Sequence, residues 1–174
     1  MQENNFFVIM TSKFFGGLKV KKIFAIIFCV MIFASSNCSA AISSNRFFLG
    51  GLTLEKPMSE VNAMYGKATR FEKDGASTLY FFGDESFCII EFGDRIIAIH
   101  TNDNNEIATP DGVTVGMAEQ VILDVYGKPD RLTQQDDGLK NFIYLKSGRK
   151  YEELNFFVRE GKIVGISLGY NTAR

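Results

Sequence analysis

Gly51-Leu52-Thr53-Leu54 returns 61 residues later as Gly112-Val113-Thr114-Val115, and the reading of the fold turns on that echo. At the same offset Tyr65-Gly66-Lys67 returns as Tyr126-Gly127-Lys128, Arg70 as Arg131, Val61 as Ile122 and Met64 as Val125. Past a short insertion, Asp74-Gly75 corresponds to Asp137-Gly138 and Tyr80 to Tyr144. At an offset of 67, Phe87-Cys88-Ile89-Ile90 matches Leu154-Asn155-Phe156-Phe157, and Ile96-Ile97-Ala98-Ile99 matches Ile163-Val164-Gly165-Ile166. Three registers separated by loop-sized insertions are what a duplicated structural unit leaves behind.

Each unit reads the same way. The Gly-apolar-Thr-apolar stretch alternates at the strand period. A short helix follows, with Met58, Val61, Met64 and Tyr65 in the first unit and Ala118, Val121, Ile122, Val125 and Tyr126 in the second. Spacings of three and four put these side chains on one helix face. Gly66 and Gly127 stop the helices, and Pro129 prevents continuation of the second. Strands are expected over 78–82, 86–92 and 95–101, and again over 140–146, 150–159 and 162–168, with turns at Gly83-Asp84, Gly93-Asp94, Ser147-Gly148 and Glu160-Gly161. The polar run 102–109 joins the two units. The expected architecture is α+β: two tandem repeats, each a short helix on its own three- to four-stranded antiparallel sheet. One sheet face would pack on the helix, leaving the other for water, the second unit or a partner. Units of about 60 residues without a disulfide sit near the lower limit of independent stability, so the two should share an interface.

On the amino-terminal side, Lys19, Lys21 and Lys22 precede twelve apolar residues, 23–34, and a small-polar stretch from Ser35 to Ala41. That is the layout of a signal peptide. Twelve helical residues span about 18 Å, short of a bilayer core of about 30 Å. Cleavage after Ala40 and after Ala41 fit equally, and Val20-Lys21-Lys22-Ile23 reads like the true start. Cys38 raises lipidation, although Asn37 is larger than the residue that normally precedes a lipidated cysteine. The expected division is therefore 1–40 signal peptide, 41–103 first repeat, 104–111 connector and 112–174 second repeat.

Past residue 40 the chain holds 15 Lys/Arg against 19 Asp/Glu, a net charge of −4. Such a balance argues against nucleic-acid binding, which needs a basic surface. A content of 46% hydrophobic residues with 3 Pro excludes a disordered chain. Cys29 and Cys38 leave with the leader, so only Cys88 remains, and no internal disulfide can form in an oxidising destination. Its apolar setting, Phe87-Cys88-Ile89-Ile90, reads as a buried inert thiol.

The segment Gly116-Met117-Ala118-Glu119-Gln120-Val121-Ile122-Leu123-Asp124-Val125-Tyr126-Gly127-Lys128-Pro129 resembles the signature of small outer-membrane lipoproteins of the SmpA/OmlA type. The β-lactamase inhibitor proteins share that fold as a tandem repeat. The longer pattern, from Thr109-Pro110-Asp111-Gly112 to Pro129, also resembles repeats found beside cysteine-rich secretory protein domains in Firmicutes. The likeness runs roughly over 47–170 and is stronger in the second unit. In the first, Lys56-Pro57 and Ala68 replace Gly116-Met117-Ala118 and Pro129. The motif is a folding signature without chemistry: a helix start, an apolar face and a glycine stop. The resemblance implies helices on an antiparallel sheet and a role in protein contacts.

Candidate chemistry is sparse. His100 is the only histidine, which rules out a two-histidine metal site, and no Gly-x-Ser-x-Gly elbow accompanies any serine. Cys88 and His100 lie on opposite arms of a hairpin and need not meet. Asn102-Asp103-Asn104-Asn105-Glu106 lacks the spacing of a calcium loop, and Gln134 to Gly138 reads as a turn. Glu152 and Glu153, adjacent on a strand, point to opposite faces and cannot act as an acid/base pair. No catalytic residue, metal or cofactor is expected. The charges that recur are Lys67 with Arg70 and Lys128 with Arg131. They read either as helix-end and strand-start residues or as a matched basic pair for an anionic group. Tyr65 and Tyr126, ending the helices, read as core plugs or as ligand platforms.

The expected function is that of an exported, non-enzymatic protein-interaction module, periplasmic or extracellular. Its partner would be an envelope or secreted protein, or an anionic envelope polymer. Membrane contact would come only through an uncleaved or lipidated leader. An inhibitor of an extracytoplasmic hydrolase is the alternative, and a small envelope enzyme using Cys88 or His100 is a third.

Overall fold

The computed structural model describes residues 42–171. The expected leader, its start near Val20 and its cleavage point lie outside the described residues, as does Cys38.

The described residues do not build two sheets. Their strands join one antiparallel sheet of eight, ordered β1-β2-β3-β4-β8-β7-β6-β5. They are β1 Arg70–Asp74, β2 Ser77–Phe82, β3 Phe87–Phe92, β4 Arg95–Thr101, β5 Arg131–Gln134, β6 Lys140–Lys146, β7 Arg149–Arg159 and β8 Lys162–Tyr170. The expectation of two repeats, each a helix on its own small sheet, is overturned by one seam. Along it β4 pairs with β8, with Ala98 opposite Gly169, Ile99 opposite Leu168, His100 opposite Ser167 and Thr101 opposite Ile166. The physical reason is economy of edges. Two separate four-stranded sheets would leave four rows of unpaired N–H and C=O groups, whereas joining them leaves two.

Helix α1, Met58–Tyr65, precedes β1, and α2, Glu119–Tyr126, precedes β5. Each has eight residues, buries Val61 or Ile122 completely, and ends where Gly66 (φ 77°) or Gly127 (φ 71°) takes a backbone conformation that a side chain would resist. Their N–H groups still reach back to Asn62 and Leu123. The Gly-apolar-Thr-apolar stretches are not strands. Leu52, Leu54, Val113 and Val115 are buried as the alternation suggests, but the segments run as loops over the sheet. They are tied down by bonds such as Glu55 N–H to Ile96 O and Gly116 N–H to Ile163 O.

Among the described residues, helices and loops cover one sheet face only. The core joins Phe47, Leu49, Leu52, Val61, Val113 and Ile122 to sheet residues of a single parity: Ile89, Ile99, Leu154, Phe156, Ile166 and Leu168. Each such fully buried side chain contributes about 1.5–3 kcal/mol. The connector belongs to this layer, since Ile107 and Thr109 are buried.

Candidate functional site

The opposite parity of every strand forms the second face, on which neither α1 nor α2 packs. Tracing the register across it, one row of side chains crosses all eight strands: Arg70, Phe81, Cys88, His100, Ser167, Asn155, Ile143 and Arg131. Beside it runs a second row with Leu79, Ile90, Ala98, Gly169, Glu153 and Leu145. Cys88 and Ile143 are 9% and 6% exposed, yet neither belongs to the core cluster on the other side. This face is thus an apolar strip with polar residues in its middle and an arginine at each end.

The middle is narrow because β8 presents Gly165, Ser167 and Gly169 there. A methyl group on Gly165 would meet the Phe157 ring at 3.4 Å and His100 at 3.5 Å, and one on Gly169 would lie 3.3 Å from the Ala98 Cβ. His100 is set edge-on to Phe157, with ring centroids 6.2 Å apart.

Cys88 and His100, expected only to lie on opposite arms of a hairpin, are direct cross-strand partners. Their electrostatics run against a catalytic pair. Burial pushes the Cys88 thiol up to about 11, with Arg70 pulling weakly the other way, and burial lowers the imidazole of His100. Both groups are held neutral at pH 7, whereas a nucleophilic pair needs a thiolate beside an imidazolium.

The recurrent basic residues end up far apart. Arg70 and Arg131 stand on the two edge strands, seven inter-strand spacings from each other, or roughly 34 Å. Neither guanidinium is idle. Arg70 lies 4.0 Å over the Phe81 ring and forms a two-pronged pair with Glu85 at 2.7 and 2.8 Å, with Glu72 as a further partner. The bond from Arg70 holds the Glu85 carboxyl below its usual range. Arg131 pairs with Glu153, a carboxylate only 8% exposed that also accepts from the Asn171 side chain at 2.8 Å. Lys67 and Lys128 are exposed just past the helix stops and make no ion pair among the described residues. The four do not converge on one anion site.

Tyr65 and Tyr126 face the core side. Tyr65 donates to the Gly50 carbonyl at 2.5 Å and sits 4.9 Å from the Phe87 ring. Tyr126 is buried against Tyr144 and Phe156, with the Arg46 guanidinium 4.7 Å above its ring. Beside Tyr65 a cleft of about 280 Å³ opens at the β2–β3 turn, between Phe82, Phe87, Asp84, Ser86 and Asn105. The corresponding turn of β6 and β7 is occupied by the segment that starts at Ile42. Ile42 pairs with its backbone there (N–H to Leu145 O at 3.0 Å, and Ser147 N–H to Ile42 O at 2.9 Å), and Phe47 lies under Lys146. Below that turn Glu152, 1% exposed, is held by Lys146 at 2.5 Å and Arg149 at 3.0 Å. Sequence reasoning missed both the cleft and this pair. A signal for the pair was Lys146 and Arg149 flanking a turn three residues before Glu152.

Among the described residues no group of three or more His, Cys, Asp or Glu could hold a metal ion, and no helix is long and apolar enough to cross a membrane.

No protein-family model matches the chain, and no curated protein matches it. Among solved structures it is similar to a cysteine-rich secretory protein from Staphylococcus aureus subsp. aureus Mu50, with 11% identity and a TM-score of 0.51, over 76% of this chain and 50% of that one. It is likewise similar to an extracellular protein containing an SCP domain from Bacillus anthracis str. Ames, with 7% identity and a TM-score of 0.51, over 79% and 48%. The chain therefore spans about half the length of these two proteins, and at such identities the likeness is one of fold alone. A putative beta-lactamase inhibitor protein from Streptococcus mutans aligns over 62% of this chain and 78% of its own, at 16% identity, but its TM-score of 0.28 carries no argument. None of the three is an SmpA/OmlA lipoprotein.

Proposed function

We propose that this protein is an exported, non-enzymatic interaction module that grips another protein with the uncovered face of its sheet. The observation that carries this reading is the apolar strip on that face, which the described helices and loops leave bare. An antiparallel sheet with water on one side ordinarily alternates apolar with polar residues. Here Leu79, Phe81, Ile90, Ala98, Leu145 and Phe157 occupy positions where polar residues belong. Export is supported by the signal-peptide layout of the first 40 residues and by the secretory and extracellular proteins that share the fold. The neutral state of Cys88 and His100 speaks against chemistry at the centre of the strip. The ion-paired state of Arg70 and Arg131 favours a protein partner over an anionic polymer.

The test is capture from envelope and culture extracts on the immobilised protein, repeated with Ile90→Glu and Phe157→Glu. A charge on the strip should abolish capture while leaving the thermal unfolding midpoint within a few degrees of the parent. Capture that survives both variants would refute the face. A captured hydrolase whose activity falls on binding would make the module an inhibitor, the narrower form of the same function.

A further inference from the structure

The cleft at the β2–β3 turn lies on the opposite side from the apolar strip, and its chemistry differs. Three aromatic rings wall it: Tyr65 and Phe87 with centroids 4.9 Å apart, Phe82 and Phe87 at 5.7 Å, and Tyr65 and Phe82 at 6.2 Å. Its uncharged polar groups are satisfied within the fold. The Asn105 amide donates to the Ser86 hydroxyl at 2.8 Å, and Thr101 donates to the Asn105 oxygen at 3.0 Å. Asp84 is different. It stands exposed at the mouth, takes the Ser86 N–H at 3.1 Å, and makes no ion pair among the described residues. Asp103 and Glu106, exposed on the segment that carries Asn105, likewise have no cationic partner there. An aromatic wall under an uncompensated negative rim complements one kind of group, a cation with an apolar stem.

The same fold already contains such an arrangement, filled. At the end of α2 the Arg46 guanidinium lies over the Tyr126 ring at 4.7 Å, bonds the Asp111 carboxylate at 2.9 Å and donates to the Val125 carbonyl at 3.0 Å. Arg46 arrives on the segment that begins by pairing Ile42 with β6. At the end of α1 the neighbouring segment comes from β4 instead. It brings Ile107 to the tyrosine and leaves the outer part of the site open.

We infer that the cleft beside Tyr65 receives an arginine or lysine side chain from an extended segment of a partner protein, with the cation over the Tyr65–Phe87 wall and Asp84 as its counter-charge. The site is independent of the apolar strip, so either can fail without the other.

The probe is a capped pentapeptide with a central arginine between two isoleucines, titrated into the full protein and followed by the NMR shifts of assigned aromatic and backbone groups. The control peptide carries citrulline, the neutral isostere of arginine. The arginine peptide should shift Tyr65, Phe82 and Phe87 and saturate below about 5 mM. The citrulline peptide should bind at least about fivefold more weakly, the loss expected when a cation–π contact and an exposed charge pair disappear. Asp84→Asn, an exposed substitution that leaves the core untouched, should weaken the arginine peptide by a similar factor and leave citrulline unaffected. Equal binding of the two peptides, no aromatic shifts, or shifts confined to Ile90, His100 and Phe157 on the other face would overturn the inference. The last of these outcomes would support the strip as the binding surface.

Discussion

The two arms of the sheet, β1–β4 and β5–β8, share an order of elements and differ in what fills the space beneath their outer hairpins. Under β6–β7 the space is closed. Phe47 is fully buried, Ile42 extends the free end of β6, and Glu152 is clamped between Lys146 and Arg149. Under β2–β3, Phe82 and Phe87 instead wall a cleft of about 280 Å³. The arms teach that one backbone plan can end in a sealed, charge-stapled corner or in a vacant aromatic one. The difference lies in which segment reaches the corner: the one that starts at Ile42 in the second arm, and the one that follows β4 in the first.

That contrast breaks most easily at its most buried member. Phe47→Ala should cost about 4 kcal/mol in urea unfolding, the usual price of emptying a phenylalanine site that cannot collapse. A loss below about 1.5 kcal/mol would mean the second corner is looser than it looks. Glu152→Gln comes next, at about 3 kcal/mol, the low end for breaking a buried ion pair because Lys146 keeps some contact with water. The edge arginines sharpen the comparison further. Arg131→Ala should cost about 1.5 kcal/mol because it leaves the nearly buried Glu153 with only Asn171. Arg70→Ala, whose partners Glu72 and Glu85 are exposed and screened by water, should cost clearly less than Arg131→Ala. Equal losses would show that the burial of Glu153 has no energetic weight.

The smallest expected effects are those of pH on the first arm. Burial lowers the folded-state value of His100, so the unfolded chain binds the proton more readily. The stability this residue contributes is complete above the unfolded value near 6.5 and is lost as pH falls below it. The unfolding midpoint should therefore drop between pH 7 and pH 5, and less so in His100→Asn. The thiol of Cys88, the direct neighbour of His100, should alkylate with a rate that climbs toward pH 11. A midpoint near 8.5 would show that the open face does not shield it.

Much of the fold can be read from particular residues. The helices are legible in the spacing of Val61, Met64 and Tyr65 and of Ile122, Val125 and Tyr126, with Gly66 and Gly127 as stops. The long apolar strands are legible too. β1 and β5 are not, because Arg70-Phe71-Glu72-Lys73-Asp74 and Arg131-Leu132-Thr133-Gln134 are edge strands, exposed along nearly their whole length and chosen for charge and polarity rather than for burial. Gly51-Leu52-Thr53-Leu54 alternates like a strand because every second residue is buried, yet its backbone bonds join Leu52 to Leu49 in the same loop rather than to a sheet strand. Periodicity reports burial, and only indirectly pairing. The β4–β8 seam left one sign, the unbroken apolar run Ile96-Ile97-Ala98-Ile99, which suits a central strand better than an edge. Of the candidate site, Arg70 and Arg131 were visible as recurrent charges. Their placement at opposite ends of one row depends on long-range register, which no local pattern encodes.

The seam also bears on what happens to the chain when it is cut. Asp103 and Asn104 are exposed in a polar bend, an inviting point for a protease. Severed there, the two pieces would remain clasped, because the ladder from Ala98 to Thr101 still zips onto β8 and the strand-like grip of Ile42 still reaches across to the far piece. A molecule nicked there should stay together as a noncovalent heterodimer of its own fragments, its surfaces kept after its continuity is lost.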